Sequence, residues 1–214
     1  EHFGLDLATK DKTVEQVCLE NLLNKEVFVA IANLYNGFNP EGVTHFEKTD
    51  AGTMIAFLAR SHQFYLNEKL PEIQSIIDQL LPHKDTSLPE IKLIDVFFKE
   101  YRREVEEHLS YEDEVAFPYF LDLLSPSPVV RKSNNRFSAD QYQDHHTDIE
   151  TKLNELKKLL VRHISLKENL RLRRKLLINL FELEDDLNVH SMIEESMLIP
   201  LIKKIEKDNS REPL

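Results

Sequence analysis

The run Pro89-Glu-Ile91-Lys-Leu-Ile94-Asp-Val-Phe97-Phe98-Lys-Glu-Tyr101-Arg-Arg-Glu-Val105-Glu-Glu-His108-Leu-Ser-Tyr-Glu112 decides the fold of this chain. Its apolar residues, with His108, Glu112 and Val115 roughly in phase, recur every three or four positions, which is the period of one helix face. The pattern carries on to Leu124, and Pro126 and Pro128 then break it. Three more segments read the same way. One runs from about Asp50 to Leu80 on Ile55, Leu58, His62, Tyr65, Ile73 and Ile77. Another runs from about Ser138 to His163 on Tyr142, His146, Ile149, Leu153, Leu156 and Leu160. The last covers about Leu166 to Lys207 on Leu176, Leu180, Leu183, Leu187, His190 and Glu194. Each would be ~40–60 Å long at 1.5 Å per residue. Four such amphipathic helices with modest connections predict an all-α, up-down-up-down four-helix bundle.

Ahead of the bundle the signals are shorter. Thr13 with Gln16 is a capping-box pattern that opens a short helix to roughly Leu23, and Asn24 caps a second one on Val27, Phe28, Ile31 and Leu34. Gly37, Pro40 and Gly42 then punctuate the chain. The expected organisation is a small helical N-terminal domain over 1–44 and the bundle over 45–214.

Composition narrows the function. The 214 residues carry 27 Lys+Arg and 38 Asp+Glu, a formal charge of −11, and so lack the basic face a nucleic-acid groove needs. No apolar run approaches the ~20 residues of a membrane span. The single cysteine, Cys18, leaves neither an internal disulfide nor a cysteine-based zinc site, and fits a reducing cytoplasm. Only 4 glycines and 9 prolines argue against a turn-rich β fold.

Each long segment places a histidine near its middle on the apolar stripe: His62, His108, His146 and His190. Buried imidazoles need partners, and a metal supplies them together. Two segments repeat a longer motif. His108 and Glu112 are followed by Asp113, Glu114 and Pro118; His190 and Glu194 are followed by Glu195 and, at the matching place, Pro200. A histidine and a glutamate four residues apart share one helix face, one turn from each other. Four imidazoles and two carboxylates capable of bridging suit two metals with open positions. Ligation by nitrogen and oxygen without thiolate favours iron, with manganese or zinc as alternatives. No Glu-x-x-His pair occurs, so the ferritin-like pattern is absent.

This constellation resembles hemerythrin-like (HHE cation-binding) domains, and within them the bacterial repair of iron centres (RIC) proteins. The segment Ser61-His62-Gln-Phe-Tyr65-Leu-Asn-Glu-Lys-Leu70-Pro71 is similar to that group's first-helix motif, and the resemblance spans about residues 48–208. Phe3-Gly4-Leu5-Asp6 and the run Lys12 to Cys18 resemble its small N-terminal domain, but Leu7 and Ala8 stand where the group carries paired cysteines. Oxygen-carrying hemerythrins, with a further histidine, are less similar.

The resemblance implies a di-iron centre held by His62, His108, His146 and His190 with Glu112 and Glu194 bridging. It also implies a cytoplasmic role in the nitrosative and oxidative stress response. Oxygen, nitric oxide or peroxide would be the small ligand, iron–sulfur proteins the partners receiving iron, and a homodimer the assembly by analogy. A reversible sensor or carrier of oxygen or nitric oxide is the alternative, and an interaction module a third.

Other groups have plainer readings. His145 falls off its stripe, and His45, His83 and His163 lie near helix ends or loops. Asp113, Glu114 and Glu195 read as solvated acids, Tyr65, Tyr101 and Tyr111 as core or site-lining residues, and Cys18 as a small packed residue. The cluster Lys167, Arg171, Arg173, Arg174 and Lys175 reads as a solvated helix start.

Overall fold

A computed structural model describes residues 2–5, 11–38, 46–81, 89–125, 137–145, 149–163 and 169–209. The described residues form helices and no strand: α1 Val14–Glu20, α2 Lys25–Tyr35, α3 Lys48–Phe64, α4 Leu70–Leu80, α5 Pro89–Tyr111, α6 Phe117–Leu124, α7 Ala139–His145, α8 Ile149–His163, α9 Leu170–Ile193 and α10 Ile199–Asn209.

Both N-terminal signals act as read. The Thr13 side chain accepts from the Gln16 amide while Gln16 Oε1 accepts from the Thr13 amide, so two helix-end donors are satisfied reciprocally. Asn24 Oδ1 accepts from Glu26 at 2.7 Å and Val27 at 3.3 Å. Such caps are worth about 1 kcal/mol each. α1 stops at Glu20 rather than running to Leu23, because Leu22 turns into the left-handed region at φ 55° to bring Asn24 into its capping position. α2 ends in a Schellman turn: Gly37 at φ 76° donates to Leu34, and Phe38 donates to Asn33. Only glycine adopts that φ without strain.

Three of the long segments, over 48–80, 89–124 and 170–209, are continuous but not uniformly α-helical. A five-residue π-helical turn joins α3 to α4 (Tyr65–Lys69), another joins α5 to α6 (Glu112–Ala116), and a third joins α9 to α10 (Glu194–Leu198). Each turn is followed by a proline in the first turn of the next helix: Pro71, Pro118 and Pro200. Proline has no N–H, and its ring collides with the carbonyl four residues back. Those carbonyls belong to Asn67, Glu114 and Ser196, each inside a π turn. The wider turn, closed by the amides of Leu70, Phe117 and Ile199 onto the carbonyls five residues back, accommodates the proline without ending the helix.

Chain contacts divide the protein into two compact parts. The first comprises residues 1–61, 111–146 and 189–214, the second 62–110 and 147–188. In the first, Val27, Ile31 and Leu34 of α2 share one apolar core with Met54, Leu58, Phe120, Tyr142, Ile193 and Ile202. In the second, Tyr65, Ile73, Ile77, Phe98, Tyr101, Leu156, Leu180 and Leu187 form a core of their own. Burying each such side chain stabilises the fold by about 1.5–3 kcal/mol. Lys69 enters the second part nearly buried; it donates to Asn179 at 2.9 Å and pairs with Glu182 at 2.5 Å, which offsets its desolvation. Arg173, in the basic cluster, caps α8 by donating to the carbonyls of Leu160 and Val161, while Arg171 and Arg174 are exposed and Lys175 pairs with Glu72. Lys167 lies outside the described residues.

The stripes of the first and fourth long segments are buried at every position named for them. The second differs: Val115 is 41% exposed, and the inward line runs through Tyr101, Val105, Leu109, Glu112 and Ala116. In the third, Tyr142, Leu153, Leu156 and Leu160 are buried. No helix among the described residues is long and apolar enough to cross a membrane.

Candidate metal centre

The site grows from the two carboxylates that open π turns. Glu112 and Glu194 are each fully buried, and each begins the widened turn ahead of a proline. The hydroxyl of Tyr142, on α7, lies 2.6 Å from Glu112 Oε1 and 2.8 Å from Glu194 Oε1, so both carboxylates gather around one phenol. Its single proton serves one of them at a time. Burial first, and then the charges of Glu194 and Glu112, push the Tyr142 hydroxyl far above the usual phenol range, so it stays protonated and donates.

His190, four residues before Glu194, is 4% exposed. Its Nε2 lies 3.3 Å from Glu194 Oε1 and 4.0 Å from Glu112 Oε2. Its other ring nitrogen, Nδ1, is 3.0 Å from Ser61 Oγ on α3. Ser61 spends its own proton on the Leu58 carbonyl at 2.7 Å, which leaves its oxygen to accept from Nδ1–H. That holds the ring with Nε2 facing the carboxylates. His62, the next residue of α3, is fully buried, and the ligand atoms of His62, Glu112 and His190 all lie within 4.8 Å of one another.

The donor set itself tests whether a metal fits. Two carboxylates gathered in one dry site repel each other. A divalent cation held between them and the imidazoles resolves that conflict. Nitrogen and oxygen ligands without thiolate suit iron, manganese or zinc.

Of the six residues expected to bind metal, His62, Glu112 and His190 converge as one group, and Glu194 touches His190 and shares Tyr142 with Glu112. His108 is half-buried on α5 and stands outside the three-residue group among the described residues. His146 lies outside the described residues, as do His45, His83, Leu7 and Ala8. The backbones of His145 and His163 end α7 and α8, and their side chains are not among those described. Glu114 and Glu195 are exposed, Asp113 is half-buried, and Tyr65 and Tyr101 lie in the second core. Cys18 is buried, and that burial raises its thiol above the usual value, with Lys25 pulling weakly the other way; it packs as an inert thiol.

Two supporting residues escaped the reading of the sequence as contributors. Ser61 stood next to a candidate ligand and Tyr142 stood on a core stripe, so each had a signal of place but none of role. The prolines ten residues beyond His108 and His190 were a clearer signal, since they mark where the helices must widen.

Among protein families, the Hemerythrin HHE cation binding domain matches residues 53–202, well over half of the chain. No curated protein and no solved structure matches the chain.

Proposed function

Because this chain belongs to the hemerythrin HHE cation-binding family, we propose that it is a non-haem di-iron protein of the nitrosative and oxidative stress response that gives up iron to damaged iron–sulfur clusters. The family binds metal cations, usually iron. The observation that carries the reading is the convergence of buried His62, Glu112 and His190, with Glu194 joined to Glu112 through Tyr142. Bound iron would supply redox change and coordination positions for oxygen, nitric oxide or peroxide.

The chain's own residues do the rest. His62, His190, Glu112 and Glu194 would hold the iron, with His108 and His146 proposed to complete the set. Ser61 holds the His190 ring so that Nε2 faces Glu194. Phe120, Ile193 and Met197 lie in the core shared with Tyr142. The similarity of residues 61–71 to the RIC first-helix motif supports the repair role. Leu7 and Ala8, in place of the paired cysteines, weigh against thiol-assisted transfer and give weight to an interaction module; a reversible sensor or carrier of oxygen or nitric oxide is the second reading.

The test is metal content by plasma mass spectrometry on anaerobically purified protein, followed by incubation with an iron-depleted cluster protein. About two irons per chain, passed to the acceptor, is the expected result. A rapid, reversible spectral change on adding the gas, without loss of iron, would select the second reading. Folded protein that cannot be loaded with metal would overturn both.

A further inference from the structure

Tyr142 does more than fill the core. Its ring stacks edge-on against Phe120, with centroids 5.6 Å apart and planes at 77°, and is almost fully buried. That contact alone would suit a phenylalanine. The hydroxyl adds contacts of 2.6 and 2.8 Å to two carboxylates that come from different helices, 82 residues apart as Glu112 and Glu194.

We infer that Tyr142 is a positioning residue of the metal centre: its hydroxyl, donating to Glu112 or Glu194 in turn, limits where both carboxylates sit and sets how tightly the chain retains iron. The inference rests on the iron reading above. A carboxylate has two oxygens with about four lone-pair positions. Tyr142 occupies one position on Glu112 Oε1, leaving Oε2 on the side of His190 Nε2, 4.0 Å away. On Glu194 the same oxygen, Oε1, meets both Tyr142 at 2.8 Å and His190 Nε2 at 3.3 Å, so the phenol bears on the oxygen that faces the imidazole. Both glutamates open π turns, where the helix ladder is loosest, and a long side chain there has rotamers to lose when metal binds. A hydroxyl that donates to one carboxylate or the other beforehand removes part of that cost.

The test compares iron release in wild type, Tyr142→Phe and Phe120→Leu, each loaded anaerobically with iron(II) and challenged with a ferrous chelator. Tyr142→Phe keeps the ring and its packing, so helix content by circular dichroism should be unchanged. Its iron should leave roughly 10–100-fold faster, the usual effect of removing a partner of a metal ligand. The Mössbauer parameters of the iron that remains should shift, which a purely structural role would not produce. Phe120→Leu disturbs the packing, keeps the hydroxyl and should release iron at the wild-type rate. Wild-type release and unchanged spectra in Tyr142→Phe would overturn the inference and leave the iron reading standing. Equal acceleration in both variants would also overturn it, assigning the effect to packing. Wild type that takes up no iron would overturn both.

Discussion

At the end of α9, Val189, His190 and Ile193 are buried, as is Glu194 just beyond it, so the turn that carries the histidine is enclosed on more than one side. Just beyond α5, Glu112 is equally buried, yet one turn earlier, on α5, only Leu109 faces inward; Glu107 and Ser110 are exposed and His108 is half-buried. The two motifs share one spacing and end in the same π turn and proline. The difference lies in rotation. A helix turns about 100° per residue, so the buried line through Tyr101, Val105, Leu109 and Glu112 has its centre about 60° away from His108. On α9 the line through Leu183, Leu187 and Glu194 passes about 40° from His190, and Ser61 is there to bond its ring. Spacing four residues apart guarantees that a histidine and a glutamate share a face. It does not set how far that face is turned into the core.

The largest expected effect breaks the comparison directly. His190→Ala should weaken iron retention by more than about 100-fold, beyond what loss of a supporting partner does, and His108→Ala should cost clearly less. Metal content of the two variants, purified side by side, measures this. Equal losses would mean that metal binding itself turns His108 fully inward. Next comes Ser61→Ala. It leaves Nδ1 of His190 without its hydroxyl acceptor, and iron affinity measured by chelator competition should fall about 10-fold. An affinity equal to wild type would show that His190 needs no help to present Nε2.

The smallest effect concerns the helices beyond the two π turns. Tyr119 on α6 donates to Glu206 on α10 at 2.8 Å, and burial with that carboxylate raises its phenol well above 10. The unfolded chain ionises such a phenol near pH ~10 while the folded one does not. The contribution is therefore complete below pH ~10 and is lost as pH rises beyond it, because the unfolded state then binds fewer protons. Metal-free wild type should lose melting temperature between about pH 9.5 and 11, and Tyr119→Phe should lose less. Parallel curves for the two proteins would remove Tyr119 from the account.

Much of the fold was legible because helix signals are local. Thr13, Gln16 and Asn24 act through amides two or three residues away, so their capping roles hold wherever the helices pack. The stripes from Ile55 to Ile77 and from Leu176 to Glu194 face inward because one face of an amphipathic helix must leave water. Val115 did not, since the π turn opening at Glu112 changes the angular step between residues 112 and 116 and hands the inward position to Ala116. Tyr142 reads in the sequence only as an apolar ring on a stripe. Its hydroxyl acquires a role through residues 30 and 52 positions away, at distances no local pattern encodes.

The sequence by itself determined that this protein is helical, where its helices are capped, and that paired histidine and glutamate motifs lie one turn apart on helix faces. Those are consequences of backbone periodicity and of hydrogen bonds between near neighbours. Only the tertiary structure decided how far each face is turned into the core, which hydroxyl holds the His190 ring, and that one phenol gathers Glu112 and Glu194. Rotation about a helix axis and contacts across long chain separations are settled by packing, where the neighbours come from other helices.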